Sequence, residues 1–377
     1  MRVLQVVPCL DAAQGGIRTS VPGINRAMSA AGIEAECACV GEPDPPLEGM
    51  SLRAFKQSPP RLTRASSELK QWLLTHAKDY DAVIAHTLWL SPTRYAVDAA
   101  RSAGKPAFLV PHGMLDPDAL AHHAWRKRLR WLQGEGRRVR ACTLVFSTRA
   151  DAERALAAPG AAGLPWRIAP NPVDEAWFDV LREESAGAPL VLCPNRWHPR
   201  KGVLEFVQAV QLLHSQGLEF RASVAGHEED SVYARRVHAA AAPLVRAGVL
   251  TLHGLFSGAQ LRELAARAAV IVHPATGFEN FGNVIAEGAA AGVAIVASPR
   301  ALLTPQMAAA GAVIAAEPNP AALAAALGRL IQDPQLRSRI AQAGRAYALA
   351  HFAPPRVGLA WREALSTSVY SGTSSTL

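Results

Sequence analysis

The chain has 377 residues, with 39 Lys and Arg against 31 Asp and Glu, a formal net charge of +8. Half of it is hydrophobic and only 19% is charged, which excludes intrinsic disorder, a state built from few apolar residues and much charge. The length exceeds one ordinary core and suits two domains; no apolar run reaches the roughly 18–20 residues of a membrane span.

Residues 1–8 contain a short apolar stretch interrupted by Gln5. They read as a first strand, since a signal peptide needs a longer apolar region and a small-residue cleavage site. Further apolar runs follow at 82–85, 107–110 and 143–146. A second series lies at 190–193, 220–225, 249–252, 269–272, 294–297 and 312–315. Bounded by Gly, Pro, Asn or His, such runs fit strands buried on both faces of a parallel sheet. Helical stretches lie between them. The clearest, 203–213, places Val203, Phe206, Val207, Val210 and Leu213 on one face. The alternation predicts an α/β chain of two Rossmann-like domains, 1–172 and 189–352, with a polar boundary at 172–188. A last helix over 353–368 is expected to pack back on the first domain, and 369–377 to be a disordered tail.

Five cysteines (Cys9, Cys37, Cys39, Cys142 and Cys193) form no disulfide framework. They read as small buried hydrophobes carrying reduced thiols, the usage of a cytoplasmic protein.

In open α/β sheets, ligands bind where strands end, so the segments after the strands carry the chemistry. After residues 190–193 come Arg196 and Lys201. The first is a planar fork for two phosphate oxygens and the second a point charge. A helix start near Gly202 adds backbone N–H groups, and together these make a diphosphate site. It is no Walker loop, because GxxxxGK[ST] is absent. After residues 269–272 come Glu279 and Glu287, eight positions apart. A glycosidase pair stands roughly 5–9.5 Å apart, whereas eight helical residues span about 12 Å. Two separate tasks are expected, with Glu279 in the loop reaching a sugar and Glu287 accepting from a ribose diol. Backbone N–H groups of Asn280, Phe281, Gly282 and Asn283 stand at the helix start.

These residues carry a resemblance. Glu279-x7-Glu287, within Gly-Phe-Glu-Asn-Phe-Gly-Asn-Val-Ile-Ala-Glu, resembles the EX7E signature of retaining glycosyltransferases of family 4, and Arg196 and Lys201 match that family's basic pair. Pro111-His112-Gly113-Met114-Leu115-Asp116-Pro117 is similar to a segment of its exopolysaccharide enzymes. Ala169-Pro170-Asn171-Pro172-Val173-Asp174 resembles its interdomain motif. The likeness runs from about residue 1 to 365. It implies a GT-B fold, a UDP- or GDP-hexose donor, retained anomeric configuration, and no cofactor or metal.

By position, the resemblance assigns Arg196 and Lys201 to the leaving diphosphate, Glu279 to the donor sugar and Glu287 to the ribose. It assigns His112 to the sugar or the reaction centre, and Gly15 and Gly16 to the loop beside the phosphate. Gly226, with Leu255 and Phe256, would line the nucleotide. The chain departs from the family at Asn171-Pro172, at Gly226-His227-Glu228-Glu229, which lacks a second glycine, and at Cys193-Pro194-Asn195. Asp116-Pro117-Asp118 spells DxD but reads as a turn and helix start.

Residues 120–140 combine seven basic residues between Arg126 and Arg140 with one acid, Glu135, and two tryptophans. This basic helix fits an anionic membrane surface beside a lipid-linked or glycan acceptor. The bland reading places Trp125 and Leu129 in the core of a solvated helix. Nucleic acid is not expected, since no aromatic-basic RNA motif or zinc spacing occurs. The expected activity is hexosyl transfer in cell-surface or exopolysaccharide synthesis, in the cytoplasm or at the inner membrane face. The rivals are a sugar-nucleotide 2-epimerase or hydrolase on the same fold, and a non-catalytic sugar-nucleotide-binding scaffold.

Overall fold

The computed structural model describes residues 1–11, 16–47, 49–158, 160–183 and 187–366. The expected tail at 369–377 and the candidate Gly15 lie outside the described residues. The chain forms two compact units, one of Met1–Pro172 with the segment from Pro354 onward, the other of Val173–Ala353.

The first unit contains β1 (Arg2–Val7), β2 (Glu34–Val40), β3 (Ser51–Phe55), β4 (Ala82–His86), β5 (Ala107–Val110), β6 (Thr143–Phe146) and β7 (Trp166–Ile168). They form one sheet in the order β3-β2-β1-β4-β5-β6-β7, and each neighbouring pair is parallel. β4 and β5 are buried at every residue, as apolar runs covered on both faces must be. β2, β3 and β7 lack such runs and do not stand out in the sequence. In β2 the charge of Glu36 interrupts the pattern, yet its carboxylate is held by Tyr80 Oη at 2.6 Å and by Arg2 and Arg53. β3 and β7 are edge strands, only partly buried.

The helix Pro354–Leu365 belongs to this unit and crosses Gly16–Ala30. Val357 and Trp361 are fully buried with Ile24, Ala27 and Met28. A Cβ at Gly358 would stand 2.1 Å from the Ala27 carbonyl oxygen, so the absence of a side chain sets the helix separation.

The expected basic helix over 120–140 is instead a broken series. Helices Pro117–Ala121, Ala124–Arg130 and Gly136–Arg140 are joined through Trp131–Glu135. His123 in the left-handed region and Gly134 at φ +117° interrupt the helical path. Trp125 is 67% exposed and Leu129 49%, which overturns their placement in the core. Trp131 and Glu135 anchor the segment instead. Trp131 packs beside Trp89, and Glu135 is buried, accepting from Arg94 Nε at 2.8 Å and from the Trp89 backbone N–H at 3.2 Å.

The second unit contains β8 (Leu190–Cys193), β9 (Arg221–Ala225), β10 (Leu250–His253), β11 (Ala268–His273), β12 (Ala294–Ala297) and β13 (Ile314–Ala315). The order is β10-β9-β8-β11-β12-β13, again with parallel neighbours. The helix Val203–Ser215 buries Val203, Phe206, Val207, Val210 and Leu213. This unit starts at Val173, earlier than the expected 189. Val173 and Trp177 are buried in its core, and the Phe178 carbonyl accepts from Arg345 Nη2 at 2.8 Å. One tryptophan in four helical residues is too little periodicity to mark a packed segment beforehand.

Candidate active site

In each sheet the strand order reverses direction at one point, between β1 and β4 in the first and between β8 and β11 in the second. Such switch points open a crevice at the strands' carboxyl ends, where α/β proteins bind ligands. In the second unit, Arg196 and Lys201 follow β8 and Glu279 follows β11, so the three sequence-predicted residues flank one switch point.

Backbone contacts lock the two loops together. The Arg200 carbonyl accepts from the N–H groups of Thr276 at 3.0 Å and Gly277 at 3.2 Å. Thr276 Oγ1 donates to the Pro199 carbonyl at 2.8 Å, and Arg200 Nη2 donates to that of Phe278 at 2.7 Å. Gly202, at φ +70°, makes this approach possible, since a Cβ there would lie 1.8 Å from the Pro274 carbonyl oxygen. The result is an ion pair between Lys201 Nζ and Glu279, both largely buried. Burial raises the Glu279 pKa, but Lys201, His273 and Arg200 together outweigh it, and the carboxyl is held below its ordinary value. The Glu279 backbone is fixed by the Arg300 carbonyl and the Leu302 N–H, each at 3.0 Å.

Arg196 is paired with Glu229 at 2.8 Å. Glu229 lies in the loop after β9 that departs from the family pattern. Gly226, in the same loop, has a structural task, because a Cβ there would stand 2.1 Å from the Asn195 carbonyl oxygen. Its bareness lets this loop run beside the one carrying Arg196, where Trp197 N–H donates to the His227 carbonyl at 2.9 Å.

Gly282, at φ +84°, begins the helix Asn283–Ala290, whose first N–H groups have no partner within the helix. Asn280 stands in the loop just before it. The Phe281 ring points into the core, edge-on to Phe352 with centroids 5.5 Å apart, so only its backbone remains for a ligand. Glu287, one turn into the helix, has its pKa raised to about 7 by burial and by Asp174, against Arg262. Leu255 is exposed, and Phe256 packs its ring 5.0 Å from that of His253. His273, the last residue of β11, is buried behind Glu279. Burial lowers its pKa to about 4, with Glu279 and Lys201 acting in opposite senses.

In the first unit Gly16 is the first residue of the helix after β1. His112 follows β5 at φ +50°. Its Nε2 lies 3.0 Å from Nδ1 of His86, whose own Nε2 lies 3.1 Å from Gln5 Oε1. Sequence reading singled out His112 but not His86, which ends an apolar strand, nor Gln5, which merely interrupts one. Asp116 caps the helix Pro117–Ala121 by accepting from the Asp118 N–H at 2.8 Å. Arg154 Nη2 donates to Asp116 at 3.0 Å and to Asp118 at 3.1 Å, so this DxD is a helix start held by an arginine.

Residues 178–347 match the family described as Glycosyl transferases group 1, and residues 15–174 match the Glycosyl transferase 4-like domain. Among curated proteins the comparison found no match. Among solved structures, the chain is similar to Anabaena HepE in complex with UDP (19% identity, 98% of this chain and 100% of that one, TM-score 0.77). It is also similar to sucrose-phosphate synthase of Thermosynechococcus elongatus (18%, 96% and 98%, 0.74) and to a glycosyltransferase of Rickettsia africae (17%, 97% and 99%, 0.74). At such identities these likenesses establish the fold. With a glycosyltransferase domain matched in each half and two parallel-sheet Rossmann-like units, the chain belongs to the glycosyltransferases of GT-B fold.

Proposed function

We propose that this protein is a retaining, metal-independent hexosyltransferase that moves a sugar from a UDP- or GDP-hexose to a hydroxyl of a glycan or lipid-linked acceptor. In transfer, the bond from the anomeric carbon to the phosphate oxygen breaks and a bond to the acceptor oxygen forms. The acceptor's proton passes to the departing diphosphate. Arg196 and Lys201 stabilise the charge that develops there, the task a divalent cation has in other transferases. The observation that carries the reading is the Lys201–Glu279 pair at the β8/β11 switch point, with Arg196 on the same loop. A cation for the leaving group thus stands against a carboxylate that can accept from sugar hydroxyls. UDP bound to the similar HepE fold supports a nucleotide-sugar donor.

A thermal-shift screen of UDP, GDP, ADP and their hexose derivatives tests the donor, because a ligand that binds only the folded state raises the melting temperature. Nucleotide release that requires an added acceptor supports transfer. Release without one points to a hydrolase.

The acceptor side of the reading includes the broken basic segment in the first unit. Trp125, Leu129 and Leu132 are exposed there among arginines, and Arg126 lies 5.2 Å over the Trp125 ring. Exposed aromatic and aliphatic side chains among cations suit the interface of an anionic bilayer. On this reading the enzyme works at the inner face of a membrane, in cell-surface or exopolysaccharide assembly.

A further inference from the structure

Gln5, His86 and His112 come from three adjacent strands. Gln5 is central in β1, His86 ends β4, and His112 follows β5, where Val110 is registered against His86. Gln5 and His86 are fully buried, while His112 keeps some access to solvent. Such a row of polar side chains through an apolar sheet costs free energy for each polar atom left unpaired. The ring nitrogens facing one another and Gln5 Oε1 are paired, while Gln5 Nε2 is buried without a partner among the described residues.

The pairing fixes the protons. Gln5 Oε1 can only accept, so His86 Nε2 carries the hydrogen of that 3.1 Å bond. A neutral His86 then has only a lone pair on Nδ1. His112 Nε2 must therefore donate across the 3.0 Å contact, which leaves Nδ1 of His112 without a hydrogen. Neutrality is enforced by burial, which pushes the His86 pKa well down and that of His112 to about 4; His112 further lowers His86. The backbone holds the row rigidly. Thr93 Oγ1 donates to the His86 carbonyl at 3.0 Å, and Thr87, held at φ +70°, donates its N–H to the Val110 carbonyl at 2.9 Å. A β-branched residue in the left-handed region is strained, and such strain concentrates where geometry matters.

We infer that Gln5 and His86 are positioning residues that fix His112 as its Nε2–H tautomer, presenting the Nδ1 lone pair as an acceptor for a substrate hydroxyl. That the hydroxyl belongs to a sugar rests on the proposed glycosyl transfer. The orientation of His112 does not.

The test is NMR of isotope-labelled histidine in the full-length chain, with the His112 signals assigned by a His112→Ala spectrum. The expected spectrum shows His112 protonated on Nε2 at neutral pH, and a mixture of tautomers in Gln5→Leu. A His112 protonated on Nδ1 in the parent chain overturns the inference, and this result does not depend on whether Gln5→Leu folds. If Gln5→Leu folds, its kcat should fall between about tenfold and a hundredfold, as for a misplaced supporting group. An unchanged kcat there, together with loss of activity in Lys201→Ala, overturns the relay and keeps glycosyl transfer. No transfer by the parent chain to any acceptor, with the Nε2–H tautomer seen, overturns the functional reading and keeps the relay.

Discussion

The Glu229 carboxylate sits 2.8 Å from Nη1 of Arg196, occupying one arm of the guanidinium assigned to the donor diphosphate. Glu229 stands in the loop where the family pattern has a second glycine. A nucleotide diphosphate must displace it, and removing its charge should help. Both side chains are more than a third exposed, so the pair is solvent-screened and contributes under about 1 kcal/mol. Glu229→Gln should therefore tighten UDP or GDP by up to about fivefold, read by calorimetry, with the gain shrinking at high salt. Weaker binding would show that Glu229 orients Arg196 productively.

Lys201→Ala should lower kcat by at least about a hundredfold, the usual cost of removing one preorganised charge from a developing anion. The variant also leaves Glu279 buried without its cation, so the melting temperature should fall. The Glu279 carboxyl is held below its ordinary value in the fold, so its pairing stabilises the chain above that ordinary value. That contribution is lost as pH falls through the lowered one. Between neutral pH and the onset of acid unfolding, the parent should lose its stability advantage over Lys201→Ala. An advantage that persists undiminished into strong acid would mean that the pair is not its source.

Glu287 behaves in the opposite sense. Its pKa is raised from 4.5 to about 7, so between those values the folded chain keeps a proton that the unfolded chain has released. Stability should fall as pH rises through that window and level off above it. Glu287→Gln should flatten this slope in a series of melts. Two ribose hydroxyls need an ionised acceptor, so the affinity of a nucleotide sugar should rise towards pH 7 in the parent. In the glutamine variant it should be insensitive to pH. An equally sloped profile in both would remove Glu287 from the ribose site.

Within the basic segment, several cations are already committed. Lys127 donates to the Ala119 carbonyl, Arg130 to that of Trp89, and Arg138 is bidentate with Asp98. That leaves Arg126, Arg128, Arg137 and Arg140, of which the first two share a helix with the exposed Trp125 and Leu129. At about 1 kcal/mol per cation near an anionic surface, the double change Arg126→Gln with Arg128→Gln should weaken vesicle partitioning by roughly thirtyfold. Sedimentation with phosphatidylglycerol vesicles measures it, with phosphatidylcholine as the neutral control. Equal binding to both lipids, or to neither, would defeat this part of the proposal.

The central strands were legible because a strand covered on both faces must be apolar along nearly all its length, as β5 and β12 are throughout and β4 is up to His86. Edge strands carry no such demand, and β3 and β7 were invisible for that reason. The basic segment misled because composition favoured one amphipathic helix. His123 and Gly134, both at positive φ, broke it into pieces, and the anchoring passed to Trp131 and Glu135.

What the sequence by itself determined was the alternation of strand and helix and the chemistry of Arg196, Lys201, Glu279 and Glu287, since charge type and spacing are local properties. What only the tertiary structure decided was pairing. Lys201 meets Glu279 because Gly202 lets the backbone close on Pro274, and Glu229 reaches Arg196 because Gly226 lets the loops after β8 and β9 run side by side. His86 meets Gln5 and His112 across a sheet whose neighbours are far apart in the chain. Hydrogen bonds and ion pairs act over a few ångströms of space, and a one-dimensional pattern records distance along the chain alone.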